Sequence, residues 1–302
     1  MIRVLVTDGM EKGAIEELKN KGFEVVEKFY EPELLGDELK NFDVIVVRSA
    51  TKVRKPIIDK VVEGKLKLII RGGVGVDNID VAYAEEKGIK VTNTPNASSA
   101  SVAELALAHM FAVSRFVNIS NVAMRKGKWD KKKYTGIEIC GKTLGLIGFG
   151  RISKELAKKA SALGMTVIYT DITGKAKDFD EYEYFELNGV LKKSDYVSLH
   201  IPFVKASGAT IGKDQIAMMK DGAFLINCAR GGVVDEAALV EALDNGKLAG
   251  AGVDVFVEEP TKNEALVNNP KVSVSPHIGA ATKEAQTRIG NEIVEIITTF
   301  FK

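Results

Sequence analysis

The chain has 302 residues, 45% of them hydrophobic, with 42 basic against 41 acidic residues and a net charge of +1. That length holds two domains or one large one, and that apolar content fills a core. The neutral balance excludes a global pull toward nucleic acid or an anionic membrane, and no apolar run approaches the ~18 residues that span a bilayer.

Two cysteines, Cys140 and Cys228, have neither metal-ligand spacing nor the makings of a disulfide framework. They imply no metal and a reducing, cytoplasmic setting. The N-terminus MIRVLVTDGM lacks the basic-then-apolar layout of a signal sequence and reads as a first strand.

Taken in chain order, the strand candidates of the first hundred residues are RVLVT, FEVVEKF, DVIVVRS, LKLIIR and GIKVTN. Continuous apolar strands alternating with amphipathic helices argue for parallel sheets covered on both faces. TPNASSASVAEL breaks the pattern and starts a long helix over roughly 101–118, with Ser99 or Ser101 as N-cap. That helix is apolar nearly all round, which points to burial or an interface. TLGLIG, MTVIYTD, DYVSLHI, AFLINCA, LAGAGVDV and VSVSP follow as strands, and KEAQTRIGNEIVEIITTFF closes the chain as an amphipathic helix crossing back to the first domain. The expected fold is α/β with two doubly wound parallel-sheet domains. Residues 1–97 plus 282–302 form one domain, and residues 98–281 form a dinucleotide-binding domain inserted into it, with hinges near 97–100 and 281–283.

The stretch GKTLGLIGFGRIS carries the strongest local signal. Gly148 permits a tight turn after the strand, and Gly150 lets a pyrophosphate approach the backbone N–H groups of Arg151 and Ile152 at a helix N-terminus. The third glycine position is Ser153, small enough to pack helix on strand. Asp171 ends the next strand, where an acid binds ribose hydroxyls. A carboxylate there repels a 2′-phosphate, so the expected cofactor is NAD rather than NADP.

A nicotinamide enzyme acting on an alcohol needs an acid/base group and a substrate clamp on loops after the later strands. Arg230, Glu259 and His277 fit. Read alone, His277 is a packing or capping histidine and Arg230 a surface arginine. Read together with the fingerprint, they form a catalytic constellation.

NCARGGVVDEAAL, AGVDVFVEEP and SPHIGAAT, with GFGRIS and Asp171 upstream, resemble the D-isomer-specific 2-hydroxyacid dehydrogenases. VRSATKV, RGGVGVDNID, NTPNASSASVAEL and GKWDKKKYTG narrow the likeness to the branch that takes a phosphorylated acid, over essentially the whole chain. The resemblance implies a Rossmann NAD-binding domain set into a flavodoxin-like substrate domain. His277 would be the acid/base, with Glu259, the acid directly before Pro260, stabilising its imidazolium form. Arg230 would grip the substrate carboxylate and 2-oxygen. Asp254, Cys228, Ala229 and Gly279 would meet the cofactor. His200 would line the cofactor cleft or be structural, and His109 would pack or sit at an interface.

In the first domain, Gly73, Val74 and Gly75 offer an N–H nest for a carboxylate. By the resemblance Arg48 would meet a distal phosphate, assisted by Asn96. The basic run from Arg125 to Lys133 around Trp129 reads as a solvated helix end, as attraction for an anionic substrate, or as part of a dimer contact. The implied partner is a small anionic 2-hydroxy acid, with a homodimer formed through 101–140 and no nucleic acid or membrane. The implied reaction is NAD-dependent oxidation of D-3-phosphoglycerate to 3-phosphohydroxypyruvate, in a short form without a regulatory domain. The rivals are a glyoxylate, hydroxypyruvate or other D-2-hydroxyacid reductase and, in another class, an NAD-sensing co-repressor-like scaffold.

Overall fold

The computed structural model describes all 302 residues. The first elements are β1 (Arg3–Val6), α1 (Lys12–Asn20), β2 (Glu24–Glu27), α2 (Pro32–Leu39) and β3 (Val44–Val47). They are followed by α3 (Lys55–Val61), β4 (Leu68–Arg71), α4 (Val81–Glu86) and β5 (Lys90–Asn93). Next come α5 (Ser99–Arg115), α6 (Val117–Arg125), β6 (Thr143–Ile147), α7 (Arg151–Ala162), β7 (Thr166–Thr170) and β8 (Glu183–Tyr184). Then follow α8 (Leu187–Lys193), β9 (Tyr196–Leu199), α9 (Lys213–Met218), β10 (Ala223–Asn227) and α10 (Glu236–Asp244). The last are β11 (Leu248–Val253), α11 (Glu264–Val267), β12 (Val272–Val274) and α12 (Lys283–Phe300). The chain divides into two compact units, Met1–Ser98 with Ala280–Lys302, and Ser99–Gly279.

The first unit holds a parallel five-stranded sheet in the order β2-β1-β3-β4-β5. Every residue of β3, VIVV, is buried, as expected for a strand covered on both faces. Alternate side chains serve opposite cores. Leu5, Ile45 and Ile69 pack with Leu39, Ile58 and Ala84 from α2, α3 and α4. Val4, Val46 and Ile70 pack with Leu18 of α1 and with Ile289, Ile293 and Ile297 of α12. The apolar stripe of the C-terminal helix is therefore part of this core.

The second unit holds a parallel seven-stranded sheet in the order β12-β11-β10-β9-β6-β7-β8. From β6 the chain runs outward to β7 and β8, then returns to β9 on the other side of β6. That reversal opens a crevice at the carboxyl ends of β6 and β9, the usual ligand position in such sheets. Helix α5 is buried here through Ala103, Ala106 and Met110, packing with Ala157 and Ala160 of α7. Small side chains on both helices allow close approach.

Two expectations need correction, and one short strand was not read. The long helix does not run over 101–118: it ends at Arg115, Phe116 adopts a left-handed φ of 54°, and α6 leaves at a bend of 65°. Apolar periodicity continued through the break and hid it. The helix begins at Ser99, so Ser99 and Ser101 lie inside its first turn instead of capping it. The two-residue edge strand β8 had no apolar run to betray it; its residues are Glu183 and Tyr184. No single helix is long and apolar enough to cross a membrane.

Candidate active site

The glycine fingerprint sits where β6 turns into α7. Gly148 has φ 85°, and a Cβ there would lie 2.6 Å from the His200 carbonyl oxygen, so only glycine makes this turn. Gly150 is the N-cap of the twelve-residue helix α7, and a Cβ on it would meet nothing within 4 Å. The space in front of the helix N-terminus is therefore open for a phosphate. Ser153 is fully buried, and its Oγ donates to the Gly148 carbonyl at 2.5 Å, which ties the helix to the turn. The cradle fits a dinucleotide.

Asp171 follows β7. Its Oδ2 accepts from Phe149 N at 2.6 Å, and its Oδ1 accepts from Thr173 N at 2.9 Å and Thr173 Oγ at 2.7 Å. Partial burial opposes the charge, but these bonds and nearby Lys154 outweigh it and hold the carboxyl below its ordinary range. The acid thus braces the fingerprint loop as a carboxylate.

Three further loops of this unit converge. His277 Nδ1 lies 2.7 Å from Glu259 Oε2. The other carboxylate oxygen, Oε1, accepts from Phe256 N at 3.1 Å. Burial raises the Glu259 pKa, but the His277 bond, the Phe256 amide and the Arg230 charge more than offset it, and the net shift is downward. Glu259 therefore stays ionised and receives the imidazole N–H. Both side chains remain about a third exposed, at 36%.

Arg230 follows β10 on a loop built by Asn227. Asn227 Nδ2 donates to the Arg230 carbonyl at 3.0 Å, and its Oδ1 accepts from Ala229 N at 3.1 Å. Arg230 Nη1 donates to the Ala229 carbonyl at 2.5 Å. A Cβ on Gly231 would sit 1.8 Å from the Phe256 carbonyl oxygen, so this glycine lets the Arg230 loop lie against the Glu259 loop. Sequence reasoning missed Asn227. A polar residue ending the apolar run AFLIN was the available signal.

His277 has φ 53°, a left-handed conformation that disfavours a residue with a side chain. Hydrogen bonds hold it there. His277 N donates to the Asp254 carbonyl at 2.9 Å. Asp254 Oδ1 accepts from Ser275 Oγ at 2.5 Å and Ile278 N at 2.9 Å, while Oδ2 accepts from Gly279 N at 2.9 Å. Buried Asp254 is thus the anchor of the His277 loop, a task that the sequence did not reveal.

Buried Cys228 has its thiol pKa raised by burial and by the Asp254 charge, so it is no nucleophile at neutral pH. His200 leaves β9 beside the fingerprint. Its Nε2 bonds Ser198 Oγ at 2.9 Å, while Nδ1 is sealed from solvent without a partner. Burial pushes its pKa down to about 4, which keeps the ring neutral.

In the first unit, Arg48 follows β3, and its backbone N donates to Asp8 Oδ2 at 2.7 Å. Its side chain lines an open pocket with Glu11, Thr282, Lys283, Gln286 and Thr287. Glu11 turns its carboxylate onto the first turn of α1, accepting from Ala14 N at 2.8 Å. A Cβ on neighbouring Gly72 would lie 3.8 Å from Arg48 Cγ. At the next turn the Gly73 and Val74 carbonyls are held by Thr94 N and Asn93 Nδ2. None of the N–H groups of Gly73, Val74 and Gly75 is among the loop and turn bonds to backbone carbonyls. Asn96 is exposed and reaches Glu292 at 3.4 Å, outside the walls of the Arg48 pocket. The basic run around Trp129 is exposed, and Lys131–Lys133 form a 3-10 turn.

These features define a nicotinamide-dependent oxidoreductase, and the chain belongs to the D-isomer specific 2-hydroxyacid dehydrogenases: the model of that family's NAD binding domain matches residues 107–279. Among particular relatives, it is 47% identical over 300 residues to a hydroxypyruvate reductase of Thermotoga maritima, covering 98% of this chain and 97% of that protein. It is 45% identical over 301 residues to a D-3-phosphoglycerate dehydrogenase of Methanocaldococcus jannaschii, covering 98% of this chain but only 57% of that protein. The fold matches a D-lactate dehydrogenase from Aquifex aeolicus, solved with NAD and lactic acid, with a TM-score of 0.87, 32% identity, and 99% and 95% of the two chains covered. It matches a glyoxylate reductase from Paecilomyes thermophila with a TM-score of 0.90, 30% identity, and 99% and 94% covered.

Proposed function

We propose that the chain oxidises D-3-phosphoglycerate to 3-phosphohydroxypyruvate with NAD. The single observation that carries the phosphorylated substrate is the Arg48 pocket. It combines Arg48, Lys283 and the N-terminal turn of α12, while the one carboxylate there, Glu11, is occupied in capping α1. Such a site suits a phosphate dianion. The 45% identity to a D-3-phosphoglycerate dehydrogenase points the same way.

In this reading Arg230 pairs with the substrate carboxylate and stabilises negative charge on the 2-oxygen. His277 Nδ1–H donates to Glu259, which leaves Nε2 to accept the C2 hydroxyl proton. NAD, when bound, would supply the acceptor for the C2 hydride. The O–H electron pair becomes the new C=O bond, and the proton stays on His277, where Glu259 balances the imidazolium charge. Arg151 and Ile152 present backbone N–H groups to the pyrophosphate, and Asp171 binds the ribose hydroxyls and favours NAD over NADP. Cys228, Ala229, Asp254 and Gly279 supply the backbone around the nicotinamide, beside His200.

Hydroxypyruvate reduction is the second reading, favoured by a relative that this chain matches over 97% of its length. Steady-state turnover decides between them: 3-phosphoglycerate with NAD is expected to exceed hydroxypyruvate, glyoxylate and D-lactate couples in kcat/KM. Arg48→Ala should raise KM for 3-phosphoglycerate about tenfold or more, with little change for D-glycerate. A preference for hydroxypyruvate that Arg48→Ala leaves intact overturns the phosphorylated substrate. We further propose a homodimer through 101–140, where Phe111, Val117, Val122, Met124 and Trp129 are exposed apolar side chains. A monomeric mass by light scattering would exclude it.

A further inference from the structure

His109 takes no part in the reaction just described, yet it is 3% exposed and both its ring nitrogens are engaged. Nδ1 lies 2.9 Å from Ser273 Oγ and Nε2 lies 2.9 Å from Ser275 Oγ. Ser275 Oγ in turn contacts Asp254 Oδ1. The direction of each bond in this series follows from its last member.

Both Asp254 oxygens accept backbone N–H groups, from Ile278 and Gly279. The carboxylate is an acceptor, so the Ser275 hydroxyl hydrogen points to it. Ser275 Oγ then has only lone pairs for His109, and Nε2 must carry a proton. Burial lowers the His109 pKa and keeps the ring neutral, although the Asp254 charge works the other way. A neutral ring protonated on Nε2 accepts at Nδ1, and the Ser273 hydroxyl donates to it.

The approach of the histidine is built into β11. A Cβ on Gly252 would lie 2.5 Å from His109 Cβ. A glycine there admits α5 to the edge strands, and the ring spans from β12 at Ser273 to the loop at Ser275.

We propose that His109 is a positioning residue: through Ser275 it orients the Asp254 carboxylate, and so holds the backbone of 277–279 in the conformation that presents His277. A chain of directed hydrogen bonds is worth more than its separate links when it is buried and complete. It also resists the relaxation that the left-handed φ of His277 would otherwise undergo. This inference rests on His277 being the proton-transfer group.

Nitrogen-15 labelling of histidine tests it directly, since the chain has three histidines. His109 is expected to be a neutral Nε2–H tautomer at pH 7, and an Nδ1–H tautomer or an imidazolium would overturn the proposal. In His109→Leu, amide exchange at 277–279 should rise about tenfold or more while exchange elsewhere in the unit is unchanged. Turnover should fall about 10- to 100-fold, and His109→Gln should recover part of it. Ser275→Ala should lose as much, and combining it with His109→Leu should lose no more. Additive losses, or unchanged exchange at 277–279, would overturn the proposal. If His109→Leu does not fold, His109→Gln, Ser275→Ala and the tautomer of the unmodified protein carry the test. The labelling and exchange measurements involve no substrate, so they stand apart from a failure of the role proposed for His277, which would show as full turnover in His277→Ala.

Discussion

Glu259 Oε2 and His277 Nδ1 meet at 2.7 Å although 18 residues separate them in the chain. One residue follows β11 and the other follows β12, which are adjacent parallel strands. Parallel pairing places both carboxyl ends on the same edge, so a carboxylate and an imidazole come together without a local motif. His277→Ala is expected to lower kcat by about 10²–10⁴-fold with NAD affinity unchanged, measured by steady-state kinetics and cofactor titration. Glu259→Gln keeps the shape but loses the charge, and should cost about tenfold or more in kcat. Turnover equal to that of the unmodified enzyme in either variant removes that residue from the mechanism.

The fingerprint loop gives a second expectation. Asp171 braces Phe149 N, and the ribose contact proposed for it can be tested. Asp171→Ala should reduce kcat/KM with NAD by about tenfold or more and leave NADP less affected, because the repulsion of a 2′-phosphate disappears with the charge. An unchanged ratio of the two cofactors would show that specificity lies elsewhere.

His200 makes stability depend on pH. The unfolded chain takes up its proton near 6.5, whereas the folded chain does so only near 4, because burial excludes the charged ring. Between those values the unfolded state binds the extra proton, so stability falls as pH drops from 6.5 toward 4. The loss is at most about 3–4 kcal/mol. His200→Gln should flatten that part of the profile, read as Tm against pH. An identical slope in the variant would mean that other groups cause the loss.

Gly231 supplies a steric expectation. Its added Cβ would overlap the Phe256 carbonyl, so Gly231→Ala must separate the Arg230 and Glu259 loops. We expect a loss of about 1–3 kcal/mol in stability and a rise in KM for the 2-hydroxy acid, with NAD binding retained. A variant with unchanged KM would show that the loop spacing does not set the clamp.

Much of this protein was legible in one dimension because its signals are local. The strands read as strands because parallel sheets covered on both faces need continuous apolar runs, as VIVV at Val44–Val47 shows. Gly148, Gly150 and Asp171 were legible because a turn, a helix start and a strand end sit at short fixed spacings. The break at Phe116 escaped because apolar residues continue through it, and periodicity does not report a single left-handed residue.

The sequence by itself therefore determined the two α/β units, the dinucleotide cradle and the residue types available for catalysis. Only the tertiary structure decided which of them meet. Asn227 shapes the Arg230 loop and Asp254 anchors the His277 loop through bonds to atoms as many as 25 positions away. His109 reaches Ser275 across 166 positions. A polar side chain in the sequence states only that it can form hydrogen bonds. The burial that makes those bonds obligatory, and the partners that satisfy them, exist only once the strands are ordered side by side.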